Sequence, residues 1–125
     1  PHPGEAADML KVSTQEIQKD RIESAKKLQK KYNCIIVLKG RGTIICNKKE
    51  MYLCASGGPE LAVAGTGDIL SGVIGSLIAQ GLAPLDAAIA GVGLHAQAGE
   101  NFATDVGRIG LAASELIPRI RKLLN

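Results

Sequence analysis

The polar and hydrophobic positions in the first part of the chain predict surface helices. A short helix is predicted over Glu5–Leu10, after an extended Pro1–Gly4 segment, because a residue before proline avoids the α conformation. Ser13 and Glu16 have the spacing of a capping box, which predicts a second helix running to about Lys30. Its apolar stripe is thin and its other face is highly charged, so it should lie on a surface. The expected inward positions are Ile17, Ile22, Ala25 and Leu28.

Apolar runs in the middle of the chain predict three short strands. These runs are Cys34–Leu38, Thr43–Cys46 and Met51–Cys54. The first is continuously apolar, as in a strand buried on both faces, and the other two should pair as a hairpin. Turns are predicted at Lys39–Gly42 and Asn47–Glu50, and a loop at Ser56–Glu60.

Helical periodicity returns in the last half of the chain. The predicted helices are Thr66–Gln80, Pro84–Phe102 and Ala112–Leu124. The first two are rich in glycine, alanine and serine, although glycine costs about 1 kcal/mol relative to alanine inside a helix. This composition indicates either tight helix packing beside a nucleotide-sized cleft or dense packing alone.

Composition narrows the classes of protein that fit. The 125 residues suit one domain, and 46% hydrophobic and 22% charged residues are enough for a core. A net charge of +3, with one Phe, two Tyr and no Trp, argues against nucleic-acid binding. No membrane span or secretory signal is predicted. The cysteines, Cys34, Cys46 and Cys54, are expected to be reduced core residues of a cytoplasmic protein, in neither a disulfide nor a metal site.

The most informative segment is Leu61–Asp68, in which small residues lead to one carboxylate where a helix begins. Unpaired N–H groups and the helix dipole favour an anion there, and Gly65 and Gly67 would let the backbone approach a phosphate. Asp68 would then be a base beside that anion. The alternative is an ordinary helix start with Thr66 or Asp68 as its N-cap. His95, on an apolar helix face, is expected to be a core histidine.

An ordered set of motifs resembles one family. The segments are Pro1-His2-Pro3-Gly4-Glu5, Leu38-Lys39-Gly40-Arg41-Gly42-Thr43, Leu61 to Gly72, Gln80-Gly81-Leu82 and Leu94 to Glu100. The set resembles the ADP/ATP-dependent NAD(P)H-hydrate dehydratases of the ribokinase-like superfamily. The resemblance implies an α/β three-layer sandwich, of which residues 1–125 would be the C-terminal part. The Pro-His-Pro-Gly-Glu segment lies mid-domain in that family, so the remainder is expected in another chain, a processed partner or flanking sequence.

The resemblance also implies a reaction and the residues that perform it. ADP or ATP, with Mg²⁺, would phosphorylate the ring hydroxyl of hydrated NADH or NADPH, and phosphate would then leave. The implied catalytic residues are Gly65, Thr66, Gly67 and Asp68. Asp68 would be the base and would also bind the substrate. The implied nucleotide-binding residues are Lys39, Gly40, Arg41, Gly42, Thr43 and Gly67. His2 and Glu5 would bind the substrate. No cluster of metal ligands is visible in the sequence.

Several alternatives remain beside these roles. The alternative for Lys39 is an ordinary hairpin lysine, that for His2 is an exposed terminal histidine, and that for Glu5 is a helix cap. The segment Ser56–Glu60 lacks the asparagine that is common in the family's corresponding loop. Other functions are a ribokinase-like kinase for a vitamin precursor such as hydroxyethylthiazole, or a non-catalytic nucleotide-binding half-subunit. The expected partners are a second copy of the chain or the missing N-terminal segment, with no nucleic acid and no membrane.

Overall fold

The computed structural model describes residues 1–125, which divide into two compact units, Pro1–Ala55 and Ser56–Asn125. The first unit combines helices with a small sheet and the second is helical, so the α/β class is confirmed. Each unit has its own cluster of buried apolar side chains. The helices include none with the length and apolar character needed to cross a membrane.

The first unit places three helices before three strands. They are α1 (Pro3–Leu10), α2 (Thr14–Lys19), α3 (Arg21–Tyr32), β1 (Ile36–Leu38), β2 (Thr43–Cys46) and β3 (Met51–Cys54). The strands form one antiparallel sheet in the order β1-β2-β3, with Val37 opposite Ile45 and Ile45 opposite Tyr52. The predicted hairpin is confirmed, whereas the first strand is shorter than predicted and begins at Ile36. The Lys39–Gly42 turn therefore joins two antiparallel strands.

The single helix predicted from Ser13 to Lys30 is wrong, because the chain breaks at Asp20. Asp20 leaves the helical region (φ −148°, ψ 87°), and its carboxylate accepts a hydrogen bond from the N–H of Glu23 at 2.9 Å. Asp20 is thus the N-cap of a new helix, α3. Ser13 caps α2 as predicted, accepting from the N–H of Glu16 at 3.1 Å.

The break also changes which side chains are buried. Ile17, Ala25 and Leu28 are buried as predicted, but Ile22 is 54% exposed because the restarted helix is out of phase with α2. The cluster that α1, α2, α3 and the sheet bury consists of Ala6, Ala7, Ile17, Ala25, Leu28, Ile36, Leu38, Ile44 and Cys46.

The three cysteines do not share one environment. All are free thiols, but only Cys46 is buried, while Cys54 is half-buried and Cys34 is exposed. Cys34 is exposed because it precedes β1 instead of lying within it. The prediction of three core cysteines is therefore wrong for Cys34. Burial, with a smaller effect from Cys34, raises the pKa of the Cys46 thiol.

The second unit is built on three helices and two short 3₁₀ helices. They are a 3₁₀ helix at Pro59–Leu61, α4 (Thr66–Ala79), α5 (Pro84–Asp105), a 3₁₀ helix at Ala113–Glu115 and α6 (Leu116–Leu124). Gln80 and Gly81 (φ 100°) end α4 close to the predicted place. The last predicted helix is divided between the second 3₁₀ helix and α6. The buried cluster is Ala98, Phe102, Leu111, Leu116 and Ile120.

Small residues on α5 permit close packing, whereas those on α4 do not. A Cβ on Gly91 would lie 2.6 Å from Cγ1 of Ile74, and one on Gly99 would lie 2.8 Å from Leu61. Gly72 and Gly75 on α4 have no neighbour within 4 Å of such a Cβ, and both are exposed. Dense packing thus accounts for Gly91 and Gly99, but not for Gly93 on α5 or for the two glycines on α4.

Candidate active site

The helix start at Gly65–Asp68 is fixed by a buried hydroxyl and not by a side-chain cap. Gly65 is the N-cap, with φ 86°, and no side chain caps the helix, so the prediction of Thr66 or Asp68 as N-cap is wrong. Thr66 is only 7% exposed. Its Oγ1 lies 2.8 Å from the carbonyl oxygen of Leu61 and 2.9 Å from that of Val63, so one hydroxyl proton serves both. The hydroxyl ties the helix start to the preceding loop.

His95 fixes the first turn of α4 from the core side. Its Nε2 lies 2.9 Å from the carbonyl oxygen of Thr66, and the side chain is buried on α5. Since a carbonyl oxygen only accepts, Nε2 carries the proton in this contact. The expectation of a core histidine is confirmed, and this histidine also orients the segment of interest.

The first turn of α4 has the features of an anion site. The N–H groups of Gly67 and Asp68 have no side-chain acceptor, and the helix dipole is positive at this end. Asp68 is the acidic residue of the turn, and its exposed carboxylate accepts no hydrogen bond within residues 1–125. A carboxylate therefore lies beside unpaired backbone donors, which is an arrangement suited to transfer of a phosphoryl group to a hydroxyl.

The Lys39–Thr43 segment forms a tight turn that depends on its glycines. Gly40 has φ 149° and Gly42 has φ 74°, conformations in which other residues are strained. Thr43 Oγ1 donates to the carbonyl oxygen of Gly40 at 3.3 Å. Arg41 is exposed and Lys39 is half-buried, so the turn presents two cationic side chains.

The turn is held by Arg21, a side chain that sequence reasoning did not identify. Its guanidinium donates to the carbonyl oxygens of Arg41 at 2.6 Å and Leu38 at 3.1 Å. The sequence signal was the Asp-x-x-Glu spacing at residues 20–23, which marks a helix start immediately before this arginine.

His2 and Glu5 form a reciprocal cap at the start of α1. His2 Nδ1 accepts from the N–H groups of Gly4 at 3.0 Å and Glu5 at 3.2 Å, while Glu5 Oε2 accepts from the His2 N–H at 2.7 Å. That last bond is the main reason the pKa of Glu5 is lowered. Glu5 thus caps the helix, and both side chains are exposed. The N–H of Lys39 donates to the carbonyl oxygen of Pro1 at 2.8 Å, so this cap lies beside the turn.

Carboxylates bond the backbone of the Ser56–Glu60 loop, which lacks the asparagine that is common in the family's corresponding loop. Glu60, 4% exposed, accepts from the N–H of Gly58 at 2.8 Å, and Glu100 accepts from the N–H of Gly57 at 2.9 Å. Both glutamates line an open cavity of about 400 Å³ together with Arg108. Two backbone N–H groups of this loop are therefore bonded by carboxylates.

The predicted site residues fall into both units. His2, Glu5 and Lys39–Thr43 come together in the first unit, and Gly65–Asp68 is in the second. No group of three or more His, Cys, Asp or Glu side chains in residues 1–125 is arranged to hold a metal ion. Mg²⁺ in nucleotide sites uses phosphates, waters and one or two carboxylates, so it does not require such a group.

Comparison with known families gives one consistent match. The family model for NAD(P)H-hydrate dehydratase matches residues 1–122. The bifunctional NAD(P)H-hydrate repair enzyme of Coxiella burnetii is 46% identical over 126 residues, covering 100% of this chain and 26% of that protein. The ADP-dependent (S)-NAD(P)H-hydrate dehydratase of Neisseria meningitidis is 40% identical, covering 100% of this chain and 43% of that protein.

A solved structure agrees with these sequence matches. The ADP/ATP-dependent NAD(P)H-hydrate dehydratase of Bacillus subtilis, co-crystallised with ATP and Mg²⁺ and soaked with CoA, superposes with a TM-score of 0.90 at 34% identity. The match covers 100% of this chain and 48% of that one. A ribokinase-like superfamily protein from Enterococcus faecalis has a TM-score of 0.82 at 26% identity. The expected ribokinase-like fold is confirmed, and the chain spans less than half the length of these relatives.

Proposed function

The chain belongs to the NAD(P)H-hydrate dehydratase family, and on that premise we propose that it carries the catalytic base and a nucleotide-binding turn of such an enzyme. The reaction would be nucleotide-dependent dehydration of hydrated NADH or NADPH. The observation that carries the proposal is the uncapped start of α4, where the Asp68 carboxylate stands beside the N–H groups of Gly67 and Asp68.

The proposed reaction has two steps, which are transfer of a phosphoryl group and elimination of phosphate. Asp68 accepts the proton of the ring hydroxyl as that oxygen attacks the terminal phosphoryl group of ADP or ATP. The bond from that phosphorus to its bridging oxygen breaks, releasing AMP or ADP. The phosphate ester then leaves as inorganic phosphate, assisted by the ring nitrogen, and loss of the adjacent ring proton restores the dihydronicotinamide. The unpaired N–H groups of Gly67 and Asp68 would stabilise the charge on the transferring group, whereas the predicted donor at Thr66 is already bonded to the Val63 carbonyl oxygen at 3.4 Å.

We propose that the remaining predicted residues bind the two ligands. Lys39 and Arg41 would attract nucleotide phosphate, with Gly40, Gly42 and Thr43 shaping the turn. His2 and Glu5, whose side chains are both exposed, would contact the substrate. Mg²⁺ would arrive with the nucleotide and neutralise phosphate charge.

The extent of the chain bears on how the activity is tested. We propose that residues 1–125 form the C-terminal part of one catalytic domain, which supports activity together with its remainder or with another copy of the chain. The curated relatives are more than twice as long, which supports this proposal. The cytoplasmic location stays a prediction.

The proposed function is tested by offering competing substrates. The protein, purified at its full natural length, is incubated with Mg²⁺ and either ADP or ATP, and separately with hydrated NADH or with hydroxyethylthiazole. We expect recovery of NADH absorbance with one phosphate released per NADH. Phosphorylation of the thiazole alcohol without any recovery of NADH would establish the kinase alternative instead.

A non-catalytic role predicts a different result. A nucleotide-binding half-subunit would bind ADP or ATP but recover no NADH at any natural length or with any added segment. Running the same assay on residues 1–125 alone shows whether this segment is sufficient for the activity of the full-length protein. We expect the segment alone to recover less NADH than the full-length protein.

A further inference from the structure

Arg21 connects α3 to the turn at Lys39–Thr43. It is the first residue of α3, immediately after the cap at Asp20. Its Nη1 donates to the Arg41 carbonyl oxygen at 2.6 Å, and its Nη2 to the Leu38 carbonyl oxygen at 3.1 Å. One rigid guanidinium therefore joins the two ends of the turn.

The same guanidinium explains why Gly40 has no side chain. A Cβ on Gly40 would lie 2.8 Å from Nη2 of Arg21 and 3.0 Å from its Cζ. The family resemblance assigned this glycine to nucleotide binding. The structure gives a further reason, which is that Arg21 packs directly against the backbone of the turn.

The positive charge of Arg21 has no acidic partner. Neither ion pair in residues 1–125 includes it, and its buried Nε donates no hydrogen bond. Burial lowers the pKa of this guanidinium, although it stays charged at neutral pH. An anion approaching Lys39 and Arg41 would therefore also interact favourably with a third, uncompensated cation.

Arg21 also sets the direction of the peptide between Arg41 and Gly42. The chain contains no cis peptide bond, so the C=O and N–H of one peptide point in opposite directions. With the Arg41 carbonyl fixed toward the guanidinium, the Gly42 N–H points to the other side. Carbonyl oxygens repel phosphate, and tying two of them to Arg21 removes that repulsion from the opposite side of the turn.

We infer that Arg21 is a positioning residue for the nucleotide, acting through the backbone of the Lys39–Thr43 turn. This inference rests on the proposed function, because it requires that the turn contact a nucleotide phosphate. It adds a residue outside the predicted site and assigns it to nucleotide binding, separate from the base at Asp68.

The test is Arg21→Lys in the full-length protein, since lysine keeps the charge but cannot span two carbonyl oxygens as a fork. We expect the dissociation constant for ADP with Mg²⁺, measured by calorimetry, to rise about tenfold, the equivalent of one charged hydrogen bond. The KM for hydrated NADH and kcat at saturating nucleotide should stay within about twofold of the wild type. Arg121→Lys, at an exposed position on α6, is the matched control and should change none of these values.

Gly40→Ala approaches the same contact from the turn. Its methyl group would displace the guanidinium, so ADP affinity should fall with Arg21 still present. In the double variant the two losses should not add, because both disrupt one contact. The Gly40→Ala single variant keeps the inference testable if Arg21→Lys does not fold.

Each contrary outcome has its own meaning. Unchanged ADP affinity in Arg21→Lys, or additive losses in the double variant, would overturn the inference and leave the proposed function standing. Equal-fold decreases in ADP affinity and kcat and an equal-fold increase in the substrate KM, with a lower melting temperature, would indicate that Arg21 only stabilises the protein generally. That result would also overturn the inference. A wild-type protein that binds no nucleotide would overturn the proposed function itself.

Discussion

The turn at Lys39–Thr43 and the helix start at Gly65–Asp68 are both glycine-rich, yet they are held in different ways. A cation from a neighbouring helix, Arg21, ties the carbonyl oxygens of the turn. The Thr66 hydroxyl contacts the carbonyl oxygens of Leu61 and Val63 in the loop before the helix, and the His95 imidazole contacts the carbonyl oxygen of Thr66. In both segments, side-chain donors bond backbone carbonyl oxygens.

The two segments also differ in the charge that they present. The turn concentrates positive charge from Arg21, Lys39 and Arg41, which suits attraction of a nucleotide. The Asp68 carboxylate lies beside the unpaired N–H groups of the helix start. We propose that the charge for nucleotide binding and the base for the reaction lie in separate segments, and the predictions below address residues that act in or support these segments.

Asp68→Asn should have the largest effect. Turnover of hydrated NADH should fall by about 10²–10⁴-fold, because the base is removed, while nucleotide affinity stays near wild type. Steady-state kinetics and calorimetry measure the two quantities. Asp86→Asn is the matched control, since Asp86 is the exposed first-turn acid of α5. Near-normal turnover in Asp68→Asn would remove this residue from the mechanism.

Thr66→Val should have the next largest effect, which is a decrease in the stability of the protein. The isosteric change leaves the carbonyl oxygens of Leu61 and Val63 without their hydroxyl donor, at a cost of about 1–3 kcal/mol in the free energy of unfolding. Urea unfolding measures this cost. Thr66→Ser should restore most of it, and Thr104→Val, at an exposed position on α5, is the control. A serine variant as unstable as the valine variant would mean that the methyl group matters as much as the hydroxyl, contrary to the account.

Gly65→Ala should destabilise slightly less. A left-handed conformation at φ 86° costs a non-glycine residue about 1–2 kcal/mol, and the new Cβ would lie 3.2 Å from that of Ala113. Turnover should fall about tenfold because the backbone donors move. Gly93→Ala, in α5 with nothing within 4 Å, should instead be neutral or stabilising. Unaltered turnover in Gly65→Ala would show that the helix start tolerates displacement.

Glu5→Gln should have the smallest effect, and one that depends on pH. The pKa of Glu5 is lowered below its ordinary 4.5, so its contribution to stability is present above that value and is lost as pH falls through the folded-state pKa. The side chain is exposed, so the loss near neutral pH should be under about 1 kcal/mol. Urea unfolding at about pH 7 and about pH 3 should show a difference from wild type that closes on acidification. A difference independent of pH would contradict the charged cap.

The sequence predicted the elements whose signals are local and unambiguous. The β2–β3 hairpin, the end of α4 near Gly81 and the core position of His95 are correct. The break at Asp20 was missed because continuous helical periodicity outweighed a second capping signal, Asp20 with Glu23. Ile22 was misplaced for the same reason.

The candidate site was predicted less completely than the fold. Its backbone segments have motifs that can be read directly, but Arg21 was not found, because its contacts with the turn span 17 and 20 residues. The identity of the N-cap at α4 depended on the φ angle of Gly65, which the choice between Thr66 and Asp68 did not consider. Contacts between distant residues and backbone angles are products of the tertiary fold.

The central proposal is that the Lys39–Thr43 turn binds the nucleotide. Titration of ¹⁵N-labelled full-length protein with ADP and Mg²⁺, followed through backbone amide signals, tests it most directly. The account predicts that the signals of Gly40 and Gly42 shift and fit one dissociation constant, while that of Gly93 on α5 does not move. Unmoved signals from Gly40 and Gly42 at saturating ADP would contradict it.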